Sequence, residues 1–143
     1  MKEPTGLSRT DGKRPDGMSL IPWLSGKSIV WDVTVINTMA ESYIATSSRS
    51  TAGAAEIADR RKTDKYSSLS SFYMFQPIAV ETFGPFNQSG LDFLTDLGRR
   101  LQNTSTDVRE CVFLFQRLSV AIQRYNAVCF ANSFVSGRVS CHN

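Results

Sequence analysis

The run Ser28 to Ile36, SIVWDVTVI, constrains this chain more than any other stretch. It is β-branched or aromatic almost throughout. It follows the turn signal Ser25-Gly26-Lys27 and is long enough for a central strand. One residue breaks its character. Asp32 stands mid-run, on the face that strand alternation assigns to Val30, Thr34 and Ile36. An uncompensated carboxylate at such a place costs on the order of several kcal/mol. Either hydrogen bonds from backbone amides offset that cost, or a cation does. In the second case Asp32 is a metal ligand.

The flanking pattern suggests what surrounds this strand. Met18 to Trp23 is a short apolar run across the Gly26 turn, so the two read as a hairpin. Asn37 to Ser50 is polar and weakly patterned, a loop with some local helix. From Ala52 to Phe72 the spacing is helical, with Ser50 or Thr51 as N-cap. Met74 to Thr82, MFQPIAVET, reads as a strand whose Pro77 belongs near its start or at a sheet edge. Ser89 can cap a helix carrying Leu91, Leu94, Leu97 and Leu101 at helical spacing. Thr104 to Thr106 can cap a last helix running to about Ala131. The order is β-β-α-β-α-α, an α/β (α+β) fold with a small mixed sheet flanked by helices. Residues 1–14 read as an irregular segment broken by Pro4, Gly6 and Gly12, residues 15–134 as the domain, and residues 135–143 as a flexible tail.

Composition narrows the function classes. A chain of 143 residues, 41% apolar and 20% charged, is one ordinary globular domain. No apolar run approaches the ~18 residues of a membrane span, so no membrane partner is expected. The polar, basic first 17 residues carry no secretory signal pattern. Three cysteines without CxxC spacing point to a reducing, intracellular setting. The single histidine, His142, sits next to the C-terminus, which leaves little for Ser-His or Cys-His catalysis. No GxGxxG or GxxxxGK[ST] run is present, which argues against dinucleotide and P-loop nucleotide binding.

Two further anomalies converge on Asp32. Asp16 lies in Arg14-Pro15-Asp16-Gly17, just before the first strand. A hairpin would bring it to the same end of the sheet as Asp32. A pair of carboxylates completed by water and phosphate is a site for a hard cation such as Mg²⁺ or Mn²⁺. On the helix that follows, Ala54, Ala58, Lys62 (or Arg61), Lys65, Leu69 and Phe72 share one face. The two lysines therefore interrupt the stripe that packs on the sheet. They either snorkel to solvent or point an ammonium at the acids. Two carboxylates and a lysine at one sheet end suit metal-dependent phosphodiester hydrolysis.

The segments RPDG, WDVTV, RRKTDKY, IAVETFG and GLDFLTDLGRRL, in this order and spacing, resemble the C-terminal restriction-like endonuclease region of site-specific non-long-terminal-repeat retrotransposons. That region belongs to the PD-(D/E)XK nuclease superfamily. The resemblance covers roughly residues 3 to 134. It implies a restriction-endonuclease-like fold, a DNA substrate, Mg²⁺ or Mn²⁺ as cofactor and a nuclear location. Asp16 and Asp32 match the two acidic positions. The superfamily's usual lysine would fall at Thr34 and is absent. In this branch it is displaced to a K-x-x-K-Y pattern, matched by Lys62, Lys65 and Tyr66. Glu81 matches a further acidic position, for which a hydrogen-bonding role at the strand end is expected. In such elements a reverse transcriptase and a Cys/His zinc-binding segment lie upstream. The chain is therefore expected to be a fragment or a stand-alone relic.

The net charge of +3 is only mildly basic, but its distribution is local. Lys13, Arg14, Arg60, Arg61, Arg117 and Arg124 are the candidate contacts to DNA phosphates, the last two seven residues apart on the final helix. Two alternatives to an active nuclease remain open. One is a catalytically inactive remnant that binds nucleic acid. The other is a protein-interaction module using Phe72, Tyr73, Phe75 and Phe113 as exposed aromatics.

Overall fold

The computed structural model describes residues 14–69 and 71–136. It forms two compact units, Met1–Leu94 and Thr95–Asn143. The first holds a three-stranded mixed sheet in the order β1-β2-β3, with β1 at Gly17–Met18, β2 at Ile29–Ile36 and β3 at Met74–Glu81. β1 pairs antiparallel with β2, and β2 pairs parallel with β3 along its whole length. Between β2 and β3 run α1 (Glu41–Ser47) and α2 (Gly53–Lys65). This is the mixed sheet with helices that the pattern predicts. The helix α1 falls inside the stretch read as a loop with local helix.

β2 is the central strand, as its composition requires. Its inner face buries Val30, Asp32 and Ile36. Ile36 meets Ala54, Ala55 and Ala58 of α2 and Ala79 of β3 in one apolar cluster. Alanines at these helix positions remove the bulk that would hold α2 away from the strands, so the helix backbone lies close over the sheet.

Several boundaries differ from expectation for local reasons. The first strand is two residues long, not Met18 to Trp23. Trp23 donates its N–H to the Lys27 carbonyl at 2.8 Å, which turns the chain early. Its ring is drawn to Phe93, with centroids 5.3 Å apart. Gly17 is required where β1 crosses the Trp31 ring, because a Cβ there would come within 2.3 Å of it. α2 stops at Lys65, with a 3-10 turn at Ser67–Leu69, and does not reach Phe72. Its last turn ends where the Tyr66 ring is buried against Phe75, with centroids 4.6 Å apart.

Pro77 sits on an edge strand, as predicted. The N–H groups of Ala79 and Glu81 point away from β2, to Asn87 Oδ1 at 2.8 Å and the Pro85 carbonyl at 2.9 Å. By the two-residue period Pro77 would aim its missing N–H the same way, so its ring removes nothing from the β2 ladder.

α3 spans Gln88–Ser105 and α4 spans Glu110–Ser136. The start of α4 is not capped by Thr104 or Thr106. Thr104 Oγ1 turns back to the Arg100 carbonyl at 2.9 Å. Asp107 instead accepts the Arg109 N–H at 2.9 Å and its guanidinium at 3.1 Å, which holds the Asp107 carboxyl below its ordinary range. Among the described residues no helix is long and apolar enough to cross a membrane.

Candidate functional site

The site is assembled by the last turn of α2 lying over the middle of β2. Asp32 is 4% exposed, on the strand face that meets the helix. The Ala54–Ala58 face of α2 continues into Lys62, whose Nζ forms an ion pair with Asp32 Oδ2. Helical spacing brings the ammonium to the acid, and Lys62 does not snorkel away. The carboxylate is therefore compensated by a cation and not by strand amides.

Asp16 reaches β2 from the other side. Its backbone N–H donates to the Trp31 carbonyl at 3.0 Å, and its Oδ2 accepts the Val33 N–H at 2.6 Å. The ladder register pairs Gly17 with Trp31. The next step would set Asp16 opposite Asp32. There the pairing ends, and the Asp16 carboxylate takes the place of the backbone carbonyl that would otherwise continue it. Asp16 is exposed, so this edge of the site is open to water.

The two lysines are separated in role. Lys62 is on the acid. Lys65 Nζ lies 2.9 Å from the Tyr66 hydroxyl and 4.5 Å from its ring centroid. Tyr66 is 1% exposed, and its hydroxyl donates to the Arg14 carbonyl at 3.3 Å. Thus Lys62 and Tyr66 tie the C-terminal end of α2 to both acidic segments, and Lys65 packs on Tyr66. Thr34, where a superfamily-type lysine would stand, has a buried Oγ1 without a hydrogen-bond partner among the described residues.

The donor set suits a hard divalent cation. Among the described residues the second oxygen of Asp16 and of Asp32 makes no hydrogen bond. One or two carboxylates with water and phosphate are the usual protein share of a Mg²⁺ site. Among the described residues no group of three or more His, Cys, Asp or Glu side chains gathers.

The candidate phosphate contacts fall in separate places. Arg14 and Arg60 are exposed on the first unit. Arg61 is held over Tyr43, with its guanidinium 2.9 Å from the Tyr43 hydroxyl and 5.8 Å from the ring centroid. Arg117 and Arg124 line a shallow groove on α4 with Phe113 and Val120. Lys13 lies outside the described residues. Of the four aromatics proposed as an interaction surface, only Phe72 is exposed, at 77%. Tyr73, Phe75 and Phe113 are half-buried, Phe75 because it packs on Tyr66.

Glu81 has the hydrogen-bonding role expected at a strand end, but its partner is a helix. Its Oε1 accepts the N–H groups of Ala54 and Ala55 at 3.0 and 3.3 Å. Neither Ser50 nor Thr51 caps α2; Ala52 precedes it in the left-handed region and supplies no side-chain cap. The carboxylate arrives from 27 residues away, and it also favours the positive end of the helix dipole.

Sequence reasoning missed Asn87. This fully buried residue binds Ala79, Pro77, Ser89 and Asp59 through one side chain. Its signal was an Asn directly before a helix start, the usual mark of an N-cap. No family model, curated protein or solved structure matches this chain.

Proposed function

We propose that this chain is a metal-dependent DNA endonuclease domain of the restriction-endonuclease-like type, derived from a retrotransposon. The observation that carries the reading is the meeting of Lys62 with buried Asp32 on the central strand, where the next residue, Val33, donates its N–H to the Asp16 carboxylate. A lysine displaced from the strand to the following helix supplies the ammonium that Thr34 does not.

Asp16 and Asp32 would hold Mg²⁺ or Mn²⁺. When bound, such an ion polarises a phosphoryl oxygen and acidifies water at neutral pH. The chain's own residues do the rest. Asp16 keeps its orientation through the Val33 N–H. Lys62 offsets negative charge beside Asp32. Tyr66 fixes the Arg14 carbonyl, and with it the approach of the Pro15-Asp16 segment. Arg14 and Arg60 stand exposed on the same unit, where phosphates can reach them.

The test is nicking of supercoiled plasmid and of branched DNA with Mg²⁺, Mn²⁺ or chelator. Divalent-dependent nicking that disappears in Asp32→Ala is expected. A folded protein that binds Mn²⁺ and cuts neither substrate would instead be an inactive remnant.

A further inference from the structure

We propose that Lys62 is an internal counter-ion for Asp32 that shares its seat with a divalent cation, so that cation binding displaces the lysine. The inference rests on the reading of Asp32 as a cation ligand.

The two partners of the ion pair are unequal. The Asp32 side chain is 6% exposed, and that of Lys62 is 25% exposed. Asp32 is fixed by the strand in the middle of the parallel ladder, across from Pro77, and cannot follow a partner outward. Lys62 sits on a four-carbon stem in the last turn of α2, with a route to water already open. If the pair opens, the lysine moves and the carboxylate stays. A buried carboxylate tolerates loss of one cation only when another replaces it.

Glu81 provides an internal contrast. It is as buried as Asp32, at 5% against 4%. Its charge is offset by two backbone N–H groups of α2, and these cannot leave without unwinding the helix. One face of the sheet thus carries two buried carboxylates, Asp32 on β2 and Glu81 on β3, one compensated by a movable charge and the other by fixed dipoles. Only the first can be handed from one cation to another. The lysine also keeps the site electrically balanced in the absence of a divalent ion.

Competition for one oxygen donor set is a negative coupling between the ammonium and the ion. Removing the ammonium should therefore tighten ion binding. The experiment is a Mn²⁺ titration of the full chain by calorimetry, comparing the wild type with Lys62→Met, Lys62→Arg and Asp32→Asn. Lys62→Met is expected to bind Mn²⁺ about tenfold more tightly, and to show a larger rise of melting temperature with Mn²⁺. Lys62→Arg should stay near the wild type, and Asp32→Asn should lose the binding.

Because Lys62→Met leaves a lone buried carboxylate and can fail to fold, the wild type is also probed directly. Lys62 should react slowly with an amine-reactive ester in chelator and several-fold faster in Mn²⁺, with Lys27 as internal reference. Wild-type binding that depends on Asp32, with unchanged Lys62 reactivity and no tightening in Lys62→Met, overturns the displacement and leaves the metal reading intact. Equal Mn²⁺ binding by Asp32→Asn and the wild type removes both.

Discussion

Asp32 and Lys62 are close neighbours in space, yet the two truncations at this pair should differ sharply. Asp32→Ala frees an ammonium that can turn to water, so the fold should lose little stability. Divalent-dependent nicking should vanish while DNA binding persists, as gel shifts beside a nicking assay would register. Lys62→Met strands a carboxylate that is only 6% exposed, and should cost about 3–5 kcal/mol in urea unfolding without divalent ions. Thr34 points the other way. Its buried hydroxyl has no partner among the described residues, so Thr34→Val should stabilise the protein by about 1 kcal/mol in the same measurement. At this scale the acids were legible because a carboxylate in SIVWDVTVI contradicts its surroundings. The choice between the lysines was not. Helical spacing puts both on one face, and only the packed position of α2 decides that Lys62 meets the acid and Lys65 meets Tyr66.

The elements owe their ends to residues far away in the chain. α2 begins at Gly53 without a local cap, because Glu81 on β3 serves that purpose. Glu81→Ala should cost about 1–2 kcal/mol, and Glu81→Gln less, since an amide oxygen can still accept from Ala54. The sensitive measurement is hydrogen exchange at the Ala54 and Ala55 amides. Both should exchange faster in Glu81→Ala, with the β2–β3 ladder little changed. This explains why the start of α2 is legible to within a residue while its cap is not. Ser50 and Thr51 carry the usual capping chemistry, whereas a carboxylate 27 residues downstream leaves no mark in a local window. The central strand and the edge position of Pro77 needed only local composition, and both were readable. The first strand was overestimated because Trp23, apolar enough for a strand, is claimed by Phe93.

At the level of the whole molecule, the basic residues divide between the two units. Arg14, Arg60 and Arg61 belong to the first, and Arg117 and Arg124 to the second. If DNA engages the residues of both, the logarithm of affinity should fall with log salt at about −0.9 per phosphate contact. Alanine at Arg14 and Arg60 should flatten that slope by about 2, and alanine at Arg117 and Arg124 by a similar amount. Fluorescence anisotropy across a salt series measures both, and a slope indifferent to either pair would remove those residues from the interface. The outer border of β3 has a different consequence for the molecule in bulk. A strand border with unused amides is a template on which other chains can add. Here Asn87 accepts the Ala79 amide with its side chain and returns its own N–H to the Ala79 carbonyl at 2.9 Å, so one residue imitates a neighbouring strand. Gly90 leaves the room for it, since a Cβ there would come within 2.4 Å of Asn87 Oδ1. Pro77 adds a position where no further chain can find a donor. Asn87→Ala should uncover that border, and light scattering at rising concentration should then detect self-association absent from the parent protein.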